Sequence, residues 1–429
     1  MLGYFIVSQL AGWLQWAVIR GTWLRHVYSL VLGLFLALVM YGPAGLVNFT
    51  LTSTTVYALL HIVPRRHIGL FVFIFCFAFL SYVHIYRMMT DWMGWKQDAS
   101  TLQMILTCKL TSLAFNYQDG MEKDLEEDQA RLAVKTLPSV VEYYSYLTFY
   151  AGFVLGPVFE YADYIQFVKR EGVFKSVPFP AGRSLFLFLQ ALLCVGVFMF
   201  LLSHWHYLEV SKPEWALHPY WYKVVYYNLA MVGCKFRYYT AFKFSESGIV
   251  ASGLGYKGVQ SDGSADWGRV RGVVIHKAEL GESSKVMIDN WNISVALWLR
   301  RYVFMRVASK AAPAWRRSSA QHITMAISAM WHGFYPSYFV MFFFFSLLSE
   351  VSKMAYTTDF SKVPKALQWL GWLAMYSCGN LHGVVFMQLG LTETFALLNA
   401  LYWGPYLILI AVWLFFKTTG IHRSKRKTK

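Results

Sequence analysis

Long runs without a charged residue alternate with short polar connections along this chain, and the runs decide what its elements can be. Residues 184–202, 318–349, 366–391 and 394–416 contain no Asp, Glu, Lys or Arg, and neither do 27–54 and 68–86. Each reaches roughly the ~20 apolar residues that a helix needs to cross the hydrocarbon core. Further segments near 4–18, 55–63, 100–115, 139–162, 217–233 and 292–308 bring the expectation to about eleven spanning or partly spanning helices. Several are interrupted by Gly or Pro, as at Gly156-Pro157 and Pro336. Non-helical backbone at membrane depth survives only when enclosed by protein or lining a cavity, so the pattern predicts an all-α polytopic membrane protein built around a central tunnel.

No internal repeat and no Pro- or Ser-rich linker divides the chain, so residues 1–429 are expected to form a single membrane-embedded domain. Two polar insertions interrupt the apolar pattern. Residues 118–131 hold six acidic and two basic side chains and read as a solvated helix face. Residues 245–285 are rich in Gly and polar residues and are expected on one membrane surface. Within them Gly253, Gly255 and Gly258 match G-x-G-x-x-G, but no strand precedes the glycines and no amphipathic helix follows, so the dinucleotide-binding reading lacks its context.

Composition sharpens the class. Only 14% of residues are charged, against about 25% in soluble domains. The net charge of +16 sits mainly in connections and at the ends, which is membrane orientation and argues against a nucleic-acid partner. Residues 422–429 carry five Lys or Arg side chains, which places this basic tail in the cytosol by the positive-inside rule. Lys425 and Lys427 resemble a dilysine retrieval signal of the endoplasmic reticulum membrane, and plain anchoring charge is the alternative. The first apolar run has no basic region ahead of it and reads as a retained helix. Cys76, Cys108, Cys194, Cys234 and Cys378 lack the spacing of a zinc or redox motif and are expected as small core residues.

A strongly polar group inside an apolar run is costly and is a functional candidate by default. His332, in SAMWHGFYPSYF, lies within the uncharged run 318–349. A neutral imidazole bonded to a neighbouring helix is the structural reading. Trp331, Gly333 and Pro336 beside it suggest a cavity wall instead, and histidine titrates where a general base must. His382, in GNLHG, is its rival. His204 and His206 form H-x-H, but i and i+2 point to different faces of a helix, and their Trp and Tyr neighbours suit a membrane interface. In MIDNWNISVALWLRRYVFMR, the arginines can snorkel from a surface helix. Asn292 is different, because a neutral amide can donate a hydrogen bond to a carbonyl oxygen as negative charge develops there. Asn292-Ile-Ser294 and Asn48-Phe-Thr50 are both formal glycosylation sequons, of which only Asn48 is usable if Asn292 lies inside.

Together these constellations resemble the membrane-bound O-acyltransferase family, in its lysophospholipid acyltransferase branch. The blocks that carry the likeness are LAFNYQDG at 113–120, PSVVEYYSYLTFYAGFVLGPVFEYADY at 138–164, the stretch from GLGYKG to WNISVALWLRRYVFMR, and SAMWHGFYPSYF at 328–339. Ser337 departs from the pattern, in which Gly often follows the Pro. The resemblance implies transfer of a fatty acyl group from acyl-CoA to the free hydroxyl of a lysophospholipid, with His332 as base and Asn292 positioning the thioester. It further implies no permanently bound cofactor and no metal, with acyl-CoA as co-substrate. Substrate contacts are expected from Asn116, Asp119, Glu160, Trp291, Arg300, Arg301 and Trp331. Another acceptor (a sterol, diacylglycerol or a protein) and a lipid transporter are the alternatives, although carriers tend to show repeats.

Overall fold

The computed structural model describes residues 2–94, 98–309, 312–361 and 363–421; the tail at 422–429, with Lys425 and Lys427, lies outside them. The architecture is all-α, as the apolar runs predict. Among the described residues the strands are Gly258–Val259 and Ala265–Asp266, an antiparallel pair with Gly258 opposite Asp266. Among the same residues four helices have the length and apolarity to cross a membrane: Thr22–Ile62, Arg65–Thr90, Ala181–Ser211 and Pro336–Tyr356. Leu391–Ala400 and Gly404–Thr419, bent by 79° at their junction, make a fifth span if they cross as one. The long helices Ala99–Asp119 and Tyr220–Ser252 are of another kind, because they turn Gln103, Lys109, Asn116, Lys235, Lys243 and Glu246 into the protein interior.

Several expected segments take a different form. Residues 139–162 are not one helix. Ser139 and Glu142 form a capping box at the start of Val140–Leu147, and the chain then turns and passes through Gly156 (φ 75°) and Pro157 before the helix Tyr161–Lys169 begins. A positive φ followed by a residue without an N–H cannot continue a helix. Residues 55–63 are the end of Thr22–Ile62, which is itself broken at Gly42 (φ 67°, ψ −174°) ahead of Pro43. The uncharged run 318–349 divides into Ala314–His332 and Pro336–Tyr356, with Gly333 at φ 127° between them. Residues 292–308 form the short helix Ile293–Leu299, a π-helical turn Arg300–Phe304 and the final turn Met305–Val307.

The chain forms two compact units. The first comprises Met1–Leu192, Thr240–Val273 and Asn292–Tyr302. Close backbone approach fixes its helices: a Cβ on Gly33 would lie 1.7 Å from the Thr148 carbonyl oxygen, and one on Gly12 would lie 2.8 Å from the Ser252 nitrogen. Buried Lys109 donates to the carbonyls of Tyr146 (3.0 Å) and Leu147 (3.3 Å) and sits 4.2 Å from the Phe159 ring centroid. Its ammonium thus meets the unsatisfied carbonyls at the end of Val140–Leu147, where a helix favours positive charge. The tyrosines of this block reach backbone as well, Tyr143 donating to Ser53 O (2.8 Å) and Tyr146 to Phe159 O (2.9 Å).

The second unit comprises Leu193–Tyr239, Val274–Trp291 and Val303–Lys429. Its core joins Tyr227, Met231, Val384, Leu397 and Tyr406, with Phe344 stacked on Tyr406 at 3.9 Å. The five cysteines, divided between the units, are buried and free of disulfides.

Gly33 supplies a test of this packing. Valine there has to displace backbone at residue 148, so Gly33→Val should destabilise the protein by about 1–3 kcal/mol or more, read as a lower unfolding temperature in detergent. Gly196, on a helix with open space around it, is the opposite case. Gly196→Ala should be neutral or raise stability by up to ~1 kcal/mol.

Candidate active site

Asn292 stands at a backbone position that few residues accept. Its φ of 41° and ψ of 54° are left-handed, a region where asparagine is enriched among non-glycine residues. It precedes Ile293–Leu299 as the N-cap, yet its side chain caps none of that helix's N–H groups. An Asn at an N-cap ordinarily uses its oxygen there, and this half-buried side chain does not.

The flanking backbone holds the position. Ile293 N–H donates to Gly272 O (2.9 Å), and the Ser294 hydroxyl accepts from Val158 N–H (3.1 Å). Gly272 is required for this approach, since a Cβ there would meet the Phe242 Cβ at 2.7 Å. The next carbonyl, Val273 O, accepts from the Lys243 ammonium (2.8 Å), which is paired with buried Glu246 (3.0 Å). Trp298 closes the helix from the other side, its indole N–H donating to Thr111 Oγ1 (2.9 Å).

Beyond Leu299 the π-helical turn rotates Arg301 and Tyr302 into a chain of charges. The Arg301 fork reaches Asp128 through Nε (2.6 Å) and Nη2 (3.0 Å) and Glu160 through Nη1 (3.1 Å). Glu160 Oε2 also accepts from Asn116 Nδ2 (3.1 Å), and the Tyr302 hydroxyl lies 2.9 Å from it and 3.0 Å from Asn116 Oδ1, with one proton to give. On the far side of Asp128, Arg131 bridges to Asp163 (3.0 Å), which accepts from Arg269 as well (2.6 Å). Three guanidiniums therefore balance three carboxylates. Burial by itself would raise the Asp128 carboxyl, but Arg301 and then Arg131 hold it below the usual carboxylate range, so the tie to Arg301 is intact throughout the neutral range.

This chain of charges gathers Asn116, Glu160 and Arg301 from the expected contacts, and with them Tyr302, Asp128, Arg131, Asp163 and Arg269. The reading of 118–131 as a solvated face fits the helix Glu127–Leu132, most of whose residues are exposed, and from that face Asp128 and Arg131 reach into the network. Ionisable residues in an apolar chain were the available signal for Asp163 and Arg269, though not for which partner each would take. Asp119 is buried one turn beyond Asn116. Arg300, by contrast, is exposed and stands apart from the network.

His332 belongs to the other unit. It is the last residue of Ala314–His332, so the expected mid-helix histidine is in fact at a helix end, where Gly333 turns the chain away. The half-buried ring is surrounded by aromatics: Trp331 at 4.8 Å, Phe386 at 4.9 Å, Phe342 at 5.7 Å and Tyr338 at 6.0 Å between centroids. His382 is different. It is 1% exposed, and its Nδ1 lies 2.5 Å from Cys378 O one turn back in its own helix, the arrangement of a core histidine. Trp291 packs edge-on against Tyr238 and Tyr239. Tyr239 donates to Glu279 (2.5 Å), which also receives Lys235 (2.6 Å) and Tyr376 (2.7 Å), a junction that sequence reasoning missed. His204 and His206 turn to separate partners, Phe200 O and Leu208 N–H.

Comparison with known proteins gives the family. The model of the membrane-bound O-acyltransferase family matches residues 82–388. The chain is 29% identical to a protein named lysophospholipid acyltransferase 2 of Arabidopsis thaliana, over 96% of this chain and 92% of that protein. It is 28% identical to membrane-bound glycerophospholipid O-acyltransferase 1 of Homo sapiens, over 96% and 88%. With membrane-bound glycerophospholipid O-acyltransferase 2 of Rattus norvegicus the identity is 30%, over 75% and 64%.

The charge network makes a graded prediction. Arg301→Met leaves Glu160 buried without its cation and should cost about 3–5 kcal/mol, while Asp128→Asn, at a half-exposed carboxylate, should cost ~1 kcal/mol or less. Thermal unfolding of the two purified variants measures both. Equal losses would mean that Arg301 is held from the solvent side and that Glu160 does not need it.

Proposed function

Because the chain belongs to the membrane-bound O-acyltransferase family, we propose that it transfers a fatty acyl group from acyl-CoA to the free hydroxyl of a lysophospholipid, giving a diacyl phospholipid. The observation that carries this reading is likeness along nearly the whole length of both chains to a protein named for that activity. In this mechanism the His332 imidazole takes the proton of the glycerol hydroxyl as its oxygen attacks the thioester carbonyl. Asn292 donates a hydrogen bond to the carbonyl oxygen as charge develops there. The C–O ester bond forms, the C–S bond breaks, and the thiolate of CoA leaves and receives the proton from His332. Direct transfer needs neither a metal nor a covalent enzyme intermediate, since holding the two substrates together can supply ~7–11 kcal/mol of the barrier.

The backbone at Asn292 and the aromatic setting of His332 support these roles. An amide released from capping is available to a substrate, and apolar ring faces exclude the water that would compete with a glycerol hydroxyl for the thioester. Exposed Arg300 is the choice for a CoA phosphate, because Arg301 already has two carboxylates. A central tunnel within a single catalytic domain, residence in the endoplasmic reticulum membrane and a cytosolic tail complete the proposal.

Radiolabelled acyl-CoA supplied to the purified protein with a panel of lysophospholipids should yield labelled diacyl product. Label passing only to a sterol, diacylglycerol or protein would redirect the acceptor, and none at all would favour transport. His332→Ala should lower acyl transfer by at least ~10²-fold with expression unchanged, whereas His382→Ala should act mainly on stability. A dead but well-folded His382→Ala would exchange the two assignments.

Asn292→Ala should lower kcat and kcat/KM together, as expected for a contact made in the transition state, on the scale of about 2.7–4 kcal/mol known for oxyanion donors. Asn292→Asp should not rescue it, because a carboxylate accepts hydrogen bonds and repels the developing oxyanion. A rise in KM alone would make Asn292 a binding residue.

A further inference from the structure

At the turn joining Leu2–Ala17 to Thr22–Ile62 the first unit carries a second group of arginines, outside the network described above. Arg20, Arg25 and Arg170 line a cavity of about 50 Å³ with Phe167, Phe174 and Ser252, larger than the ~30 Å³ share of one water molecule. Arg25 is only 3% exposed. Arg170, half-buried, ends the helix Tyr161–Lys169 in a left-handed conformation (φ 55°), and Arg20 is exposed at the rim.

These three differ from Arg131, Arg269 and Arg301 in what surrounds them. Each of the latter meets a carboxylate, whereas among the described residues none of Arg20, Arg25 and Arg170 forms an ion pair with Asp or Glu. Arg25 donates Nε–H to Ile19 O and Nη1–H to Phe167 O, both at 3.2 Å, and Arg20 donates to Ala17 O (3.0 Å). Carbonyls satisfy donors without cancelling charge, and a guanidinium has five N–H groups, so Arg25 retains three. Burial and then the charge of Arg20 both work against the Arg170 cation. Taking like charges out of water is costly unless an anion joins them.

We propose that this cavity binds a phosphate group, gripped by the guanidinium forks of Arg25 and Arg170 with Arg20 at the open rim. Arginine matches phosphate oxygens in bidentate geometry, and the cavity has room for such a group and not for the body of a larger molecule. The aromatic rings strengthen the contact by lowering the local dielectric, with Arg25 already 5.6 Å from the Phe167 ring centroid. The cavity lies near the start of Thr22–Ile62, a helix long and apolar enough to cross a membrane, and lipid headgroups lie beyond the ends of the apolar stretch of such a helix. A membrane phospholipid can therefore present the phosphate, and a soluble phosphate offers the same chemistry.

The test uses the full chain in phosphatidylcholine nanodiscs, with phosphatidate added to the bilayer in one arm and inorganic phosphate added to the buffer in the other. Unfolding temperature and native mass spectrometry report binding. The unsubstituted protein should gain stability in at least one arm: a gain with phosphatidate alone assigns a lipid source, and an equal gain with inorganic phosphate assigns a soluble one. Arg20→Gln with Arg170→Gln should weaken binding about tenfold or more, the scale of one lost charged hydrogen bond. Both positions are at least partly exposed, so this pair keeps the test valid if Arg25→Gln does not fold. No gain in either arm, or an equal gain in the double variant, overturns the proposal. Neither readout depends on acyl transfer, so the outcome is separate from that of the proposed reaction.

Discussion

A guanidinium between two carboxylates, Arg301 with Asp128 on one side and Glu160 on the other, is the contact on which the first unit's functional geometry depends. Charge in an apolar protein has to be neutralised where it lies, because desolvation costs several kcal/mol per ion. A planar fork with several donors can do this for two partners at once. Arg301 thereby ties the acidic helix Glu127–Leu132, the extended segment before Tyr161 and the turn after Leu299. Asn116 and Tyr302 complete the hydrogen bonding of Glu160, and Asp163 extends the neutralisation to Arg131 and Arg269. Asn292 lies between two anchors, the charge network downstream and the hydrogen bond from Ile293 N–H to Gly272 O, beside the Lys243–Val273 contact.

Breaks in regular structure place the candidate site residues in both units. Gly333 ends a helix at His332, the π-helical turn redirects Arg301 and Tyr302, and Gly156-Pro157 converts an apolar segment into the extended chain that delivers Glu160. Each break exposes polar backbone that an apolar setting would penalise, and each is compensated locally, as when Ser294 accepts the Val158 N–H. His382 shows the alternative. It remains inside a regular helix and is sealed from solvent, with Nδ1 against its own backbone and Nε2 buried without a hydrogen-bond partner.

The two arginine groups of the first unit follow one electrostatic rule with different results. In the network the protein supplies a carboxylate for every guanidinium, which makes the assembly self-sufficient. Around Arg20, Arg25 and Arg170 it supplies carbonyls and rings only, and the missing negative charge defines what the cavity should hold.

Sequence alone determined the all-helical membrane class, because uncharged runs of spanning length have few other stable forms. It also singled out His332, since a polar group in such a run is costly and therefore informative, and Asn292, for the hydrogen bond that a neutral amide can donate. The resemblance pointed to Asn116, Glu160 and Arg301 among seven expected substrate contacts, without showing that these three touch one another. Tertiary structure decided the rest. Whether an apolar stretch is one helix or several depends on backbone angles at Gly42, Gly156 and Gly333, which hydropathy does not encode. That His382 bonds its own helix depends on a single carbonyl, Cys378 O. Partners such as Asp128 for Arg301 and Asp163 for Arg269 lie more than a hundred residues apart, and a local pattern carries no information about contacts at that separation. Charge neutrality requires that partners exist, and only the folded chain selects them.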